Sequence, residues 1–165
     1  MIRNIEDFVQ AYTAERAKTM QLLQAVTQES LEQRVSPEGR TLGFLAWHIV
    51  VTIPEMMGQT GLKLSALQGE AAPDSIEEIR AAYAAASQAL LDRVQEQWSD
   101  GDLSVNDSMY GEEWPRSQTL LVLFTHEIHH RAQLTVLMRQ AGLRVPGLYG
   151  PAREDWAEYG MQPHP

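Results

Sequence analysis

The run Ser117-Gln118-Thr119-Leu120-Leu121-Val122-Leu123-Phe124-Thr125-His126-Glu127-Ile128-His129-His130-Arg131-Ala132-Gln133-Leu134-Thr135-Val136-Leu137-Met138-Arg139-Gln140-Ala141-Gly142 spells one long helix. Leu120, Leu123, Glu127, His130, Leu134, Leu137 and Ala141 fall on a single stripe at three-and-four spacing, with His126 on its flank. Ser117 is placed to cap this helix and Gly142 to end it. A buried stripe that carries histidines and a glutamate among leucines is where fold and chemistry meet.

Three further helices read outward from it. Ile5, Phe8, Val9, Tyr12, Leu22, Leu23 and Val26 predict an amphipathic helix from about residue 4 to about residue 27. After the Ser36-Pro37-Glu38-Gly39 turn signal, Thr41 caps a second helix whose stripe is Leu45, His48, Ile49, Thr52 and Ile53, so His48 faces inward. Pro54 should kink or end that helix, and Gly58 and Gly61 open a polar connector that runs to Pro73. Ser75 with Glu78 reads as a capping box for a third helix, which buries Ile76, Ile79, Tyr83, Ala86, Leu90 and Val94 and ends near Trp98. No clear strand is read. The 101–116 stretch is a polar loop, lid or connector, and a short helix through Asp155, Trp156 and Tyr159 closes the tail. The expectation is one all-α domain over 1–165, a four-helix bundle. The long link between the second and third helices allows a crossover and parallel packing of that pair.

Composition narrows the function. With 165 residues, 44% hydrophobic and 21% charged, the chain can bury a real core. A net charge of -9 and the lack of any Lys/Arg run argue against a nucleic-acid partner. No segment reads as a signal peptide or approaches 18 consecutive apolar residues, so a cytoplasmic location away from membranes is the default. Cysteine is absent, so thiolate ligands are excluded and any thiol chemistry must use an external thiol. Leu121, Ile128 and Ala132 form an apolar outer face on the fourth helix that a second copy of the chain could cover.

His126 and His130 stand one helical turn apart, with Cβ atoms about 5 to 6 Å from each other, so both can reach one ion. His48, on the other strongly apolar helix, could complete a three-imidazole set that leaves a position open for water or substrate. His129 is turned away from His126 by helix geometry and reads as a supporting or surface group, and His164 as exposed tail. The five residues from His126 to His130 also spell the zinc-peptidase pattern H-E-x-x-H, in which Glu127 would be the general base and Glu154 a downstream ligand. That reading lacks a strand to align a peptide. The alternative for Glu127 is a carboxylate near the core that orients an imidazole N–H or pairs with Arg131. Trp47, Tyr110, Trp114, Arg131 and Tyr149 are the candidates for substrate contact.

Thr41-Leu42-Gly43-Phe44-Leu45-Ala46-Trp47-His48-Ile49, His126-Glu127-Ile128-His129-His130-Arg131-Ala132-Gln133-Leu134 and Leu137-Met138-Arg139-Gln140-Ala141-Gly142 together resemble the DinB/YfiT-like metalloenzyme family, the DinB family. The resemblance implies an up-down-down-up bundle, often a homodimer, with one divalent transition metal (Zn, Ni or Fe) on the residues matching His48, His126 and His130. Ala132 departs from the family's frequent glycine. The resemblance also implies the function expected here: a metal-dependent enzyme acting on a small-molecule substrate, such as a transferase for a low-molecular-weight thiol. A metal-dependent hydrolase and a non-enzymatic dimeric stress-response or binding module stand as alternatives.

Overall fold

The computed structural model describes residues 2–64 and 71–163. Its architecture is a four-helix bundle, α1 (Ile5–Ala25), α2 (Leu42–Gln59), α3 (Ile76–Gln97) and α4 (Arg116–Gln140), in up-down-down-up order. Each start has a local cause. Asn4 accepts from the Asp7 amide at 2.7 Å, and Glu6 and Asp7 add negative charge to the first turn of α1. Thr41 accepts from the Phe44 amide at 3.0 Å at the head of α2.

Side-chain contacts fix the helix directions. Arg16 on α1 reaches Ser87 and Ala84, while Arg80 donates back to the carbonyls of Leu23 and Gln24, so α1 and α3 run antiparallel. Leu45 and Leu137 line one cleft, and Arg116 donates to the Thr60 carbonyl at 3.2 Å, so α2 and α4 are antiparallel as well. Both α1 and α2 pack against α3 and α4, which places the consecutive pair α1 and α2 across the bundle. Phe8, Tyr12, Leu22, Leu23, Ile49, Ile53, Met57, Ile79, Tyr83, Leu90, Leu120, Leu123 and Leu134 fill the space between the four helices.

The local details differ from the sequence reading at several points. The stretch read as a strandless loop holds a one-turn 3₁₀ helix at Asp100–Ser104 and a β-hairpin, β1 (Asn106–Met109) with β2 (Glu112–Pro115). Its two-residue turn sets Tyr110 at φ 54° and Gly111 at φ 88°, the doubly left-handed turn that suits the twist of paired strands. Pro115, with no side-chain cap, precedes α4, which begins at Arg116, so Ser117 is already inside the helix. Pro54 does not end α2, which runs on to Gln59; the proline lacks only the N–H that would have served Val50. Helix α1 stops at Ala25 and the chain enters a 3₁₀ turn, Gln28–Glu32. Ser75 accepts from the Glu78 amide at 3.4 Å, which is half of the expected capping box. The tail turn is a 3₁₀ helix at Asp155–Tyr159, and His164 lies outside the described residues. No helix among the described residues is long and apolar enough to cross a membrane.

Candidate metal centre

Spacing on α4 and register against α2 bring three imidazoles to one point. His126 and His130 share a face because they are one turn apart, and the antiparallel pairing of α2 sets His48 opposite them. Ring centroids lie 4.4 Å apart for His126 and His130, 4.6 Å for His48 and His130, and 5.1 Å for His48 and His126. One nitrogen from each ring falls within 4.8 Å of the others, a group that could hold a metal ion. The Nε2 atoms of His126 and His130 are 3.0 Å apart, close to the roughly 3.3 Å that two nitrogens on one tetrahedral zinc would show. His48 and His126 are half-buried and His130 is buried, so the cluster sits at the wall of the bundle with one side open.

The protonation state suits a ligand set. Burial disfavours the imidazolium form, and the neighbouring rings add to it, so His126 is lowered to about 4. Burial and then His130 lower His48; burial also lowers His130, against the opposing pull of its bond to Gln133. All three rings are thus held neutral near pH 7. Gln133 does more than bond. Its Oε1 lies 2.7 Å from His130 Nδ1 and its Nε2 lies 3.2 Å from His129 Nε2. With the amide donating to His129, the amide oxygen accepts from His130 Nδ1–H, which leaves the His130 Nε2 lone pair aimed into the cluster. The donor set therefore fits a divalent metal in both charge and tautomer.

One position along α4, the polar groups point elsewhere. Glu127 is 2% exposed and accepts from Thr19 at 2.6 Å, Tyr83 at 2.5 Å and Tyr12 at 3.3 Å. Burial nevertheless raises its carboxyl above the ordinary value, outweighing the Thr19 and Tyr83 bonds and the charge of Arg131. Arg131, 1% exposed, donates to Thr19 Oγ1 and the Glu15 carbonyl, each at 2.9 Å, and is paired with the Glu15 carboxylate. Tyr149 closes this knot through Glu15 and Arg131. Glu127 neither orients an imidazole nor pairs directly with Arg131: Thr19 stands between them. Glu154, the other acid of the peptidase reading, is held by Arg139.

The remaining candidates separate in the same way. Arg131 and Tyr149 belong to the knot. Trp47 is 7% exposed within the core, its indole N–H without a partner among the described residues. Tyr110 and Trp114 sit on the hairpin with rings 5.8 Å apart, and Tyr110 donates at 2.8 Å to Glu55, a residue of α2 whose charge acts on His48. Two residues at the rim of the cluster are missed by the sequence reading. Phe44 stacks on His48 at 6.1 Å, and Arg40 lies over Phe44 at 4.8 Å. Phe44 stands four residues before His48 on α2, the same one-turn interval as in the histidine pair, which is the signal that could have found it; Arg40 precedes the Thr41 cap, beyond the reach of helical spacing. Ile128 and Ala132, read as an outer face, line a cleft with Leu148 and Tyr149 of the same chain.

Comparison with known proteins accords with this architecture. Residues 1–164 match the model of the DinB family. The uncharacterized protein YrdA of Bacillus subtilis (strain 168) is 38% identical over 163 residues, covering 98% of each chain. A crystal structure of a DinB-like protein from Bacillus cereus ATCC 10987 superposes with a TM-score of 0.87 at 41% identity, over 90% of this chain and all of that one. A second, the DinB-like protein YjoA from Bacillus subtilis, has a TM-score of 0.69 at 16% identity over 88% and 99% of the two chains, a likeness of fold alone.

Proposed function

The chain belongs to the DinB family, and from that premise we propose that it is a metal-dependent enzyme that joins a low-molecular-weight thiol to a small electrophile. The observation that carries this reading is the group of three neutral imidazoles, His48, His126 and His130, on a bundle wall with one side open. Three nitrogen ligands with an accessible fourth position are the arrangement of a catalytic rather than a closed structural site. A divalent ion bound there would supply Lewis acidity that makes a thiol or water acidic near neutral pH. The protein's own share is to keep the three rings neutral, to fix the His130 tautomer through Gln133, and to narrow the approach with Phe44. Having no cysteine, it offers no internal thiol to compete with the external one.

Hydrolysis by activated water would use the same open position. Its peptidase form is disfavoured, because Glu127 is filled by three hydroxyl donors in the core and carries no free oxygen toward the histidines. The cytoplasm, with its supply of small thiols, is the proposed location, and pairing of two chains through the outer side of α4 the proposed assembly.

The test is elemental analysis of untagged wild type beside His48→Ala, followed by thiol consumption against a panel of electrophiles. The expected result is about one equivalent of a transition metal in the wild type, none in the variant, and thiol loss only with the former. Metal retained by His48→Ala, or absent from both proteins, would overturn the reading.

A further inference from the structure

Of the eleven arginines in the sequence, nine donate to a carboxylate, hydroxyl or carbonyl oxygen. Among the described residues Arg153, in the exposed tail, and Arg40 have no such acceptor. Arg40 is the informative one. In a chain with 22 acidic side chains, this exposed cation beside a cluster of uncharged imidazoles has no acid of its own and is free to meet an anion. Its surroundings have a shape as well as a charge. Arg40 lines a cleft of about 340 Å³ with Val35, Leu45, Gln133, Val136 and Leu137. Gln133 is the residue that bonds His130, so the cleft shares a wall with the histidine cluster. On its other side Arg40 lies over Phe44, which stacks on His48. The guanidinium is near enough for its charge to act on both His48 and His130.

We propose that Arg40 anchors the carboxylate of a small organic substrate whose apolar body lies in the cleft between Val35, Leu45, Val136 and Leu137. A planar guanidinium is the side chain that best matches a carboxylate, with two parallel N–H donors. Its cation–π contact with the Phe44 ring helps hold it in place, and none of its N–H donors has an acceptor among the described residues. The apolar walls select a molecule with a hydrocarbon part, since a fully polar anion would lose water without gaining contact. The acidic surface of the protein favours one negative charge over several. That the far end of such a molecule reacts at the histidines rests on the function proposed above; the anchor itself does not.

The experiment is an NMR titration of hexanoate, with 1-hexanol as the uncharged control, into the full chain in metal-loaded and metal-stripped form. Hexanoate is expected to shift the signals of Arg40, Val136 and Leu137, and Arg40→Gln to weaken its binding tenfold or more while binding of 1-hexanol is unchanged. Arg40 is exposed, so the variant should fold, which an unchanged melting temperature verifies. Equal hexanoate affinity in Arg40→Gln, shifts confined to another surface, or no binding to the wild type would each overturn the anchor. Hexanoate binding that persists in stripped protein, and in a protein that purifies without metal, would leave the anchor standing while the proposed function fell. Metal in the wild type and none in His48→Ala, with thiol loss only in the former, beside unchanged hexanoate affinity in Arg40→Gln, would do the reverse.

Discussion

Two faces of α4, about 100° apart around one helix, handle buried polarity in opposite ways. On the face toward α2, His126 and His130 turn nitrogens toward each other and toward His48, with few protein partners to complete them. On the next face, Glu127 and Arg131 are wrapped by Thr19, Tyr12, Tyr83, Glu15 and Tyr149, with both carboxylate oxygens of Glu127 and both terminal nitrogens of Arg131 bonded. A network closed by the protein holds helices together; one left open inward is built to be completed from outside. The H-E-x-x-H spelling runs across both faces, so five adjacent letters that look like one motif divide between two jobs.

The division breaks most visibly at Glu127. Truncation by Glu127→Ala strands three buried hydroxyls, and is expected to destabilise the fold by about 3 kcal/mol or more, a fall in Tm of roughly 6–12 °C. Metal content, measured well below the transition, should stay at the wild-type stoichiometry. Metal loss with an unchanged melting curve would mean that Glu127 serves the histidines after all, and the contrast between the faces would collapse.

What was readable beforehand follows the same line. The helices were legible because apolar residues recur at helical spacing, and the His126–His130 pair because it is local to one helix. His48 was legible as an inward residue, but its meeting with the pair depends on the register of α2 against α4. The hairpin left almost no trace: among its eight strand residues only Met109 is buried, so there is no alternation to see. Tyr12 and Tyr83 belong to the apolar stripes of their helices; their hydroxyls acquire a role only when α1, α3 and α4 come together around Glu127. Gln133 could have been found, standing three residues after His130 and four after His129. Arg40 lies before the Thr41 cap, where helical spacing gives no position, and its lack of an acidic partner is a property of the folded surface.

Gln133 sharpens the contrast at intermediate cost. Removing a residue that orients a ligand typically weakens a metal site 10- to 100-fold, and that loss is expected for Gln133→Ala in a competition titration against a chelator. The residue is exposed, so the metal-free protein should change in stability by less than about 0.5 kcal/mol. Gln133→Glu should retain or tighten binding, since a carboxylate accepts the His130 N–H more strongly. An Ala variant with full affinity would show that the tautomer needs no such support.

The smallest effect is a slope. In the metal-free protein His126 titrates at about 4, against about 6.5 for an unfolded histidine, so between those values the unfolded chain binds the extra proton. Its contribution to stability is therefore constant above about 6.5, lost as pH falls toward 4, and constant again below. Glu127 acts with the opposite sign: its folded carboxyl is raised, so the folded state holds the extra proton, and stability falls as pH rises above the unfolded value of about 4.5. Burial disfavours the charged form on both faces, and the two tilt the pH profile in opposite directions. Denaturant unfolding of metal-free wild type, His126→Gln and Glu127→Gln between pH 4 and 7 should show the first variant less acid-sensitive than wild type and the second more so. Titrations of groups away from the two sites cancel in the differences, and His48 and His130, relieved of a neighbouring ring in His126→Gln, move the profile in the same sense as the loss of His126; parallel profiles would mean that neither face carries the electrostatic strain assigned to it.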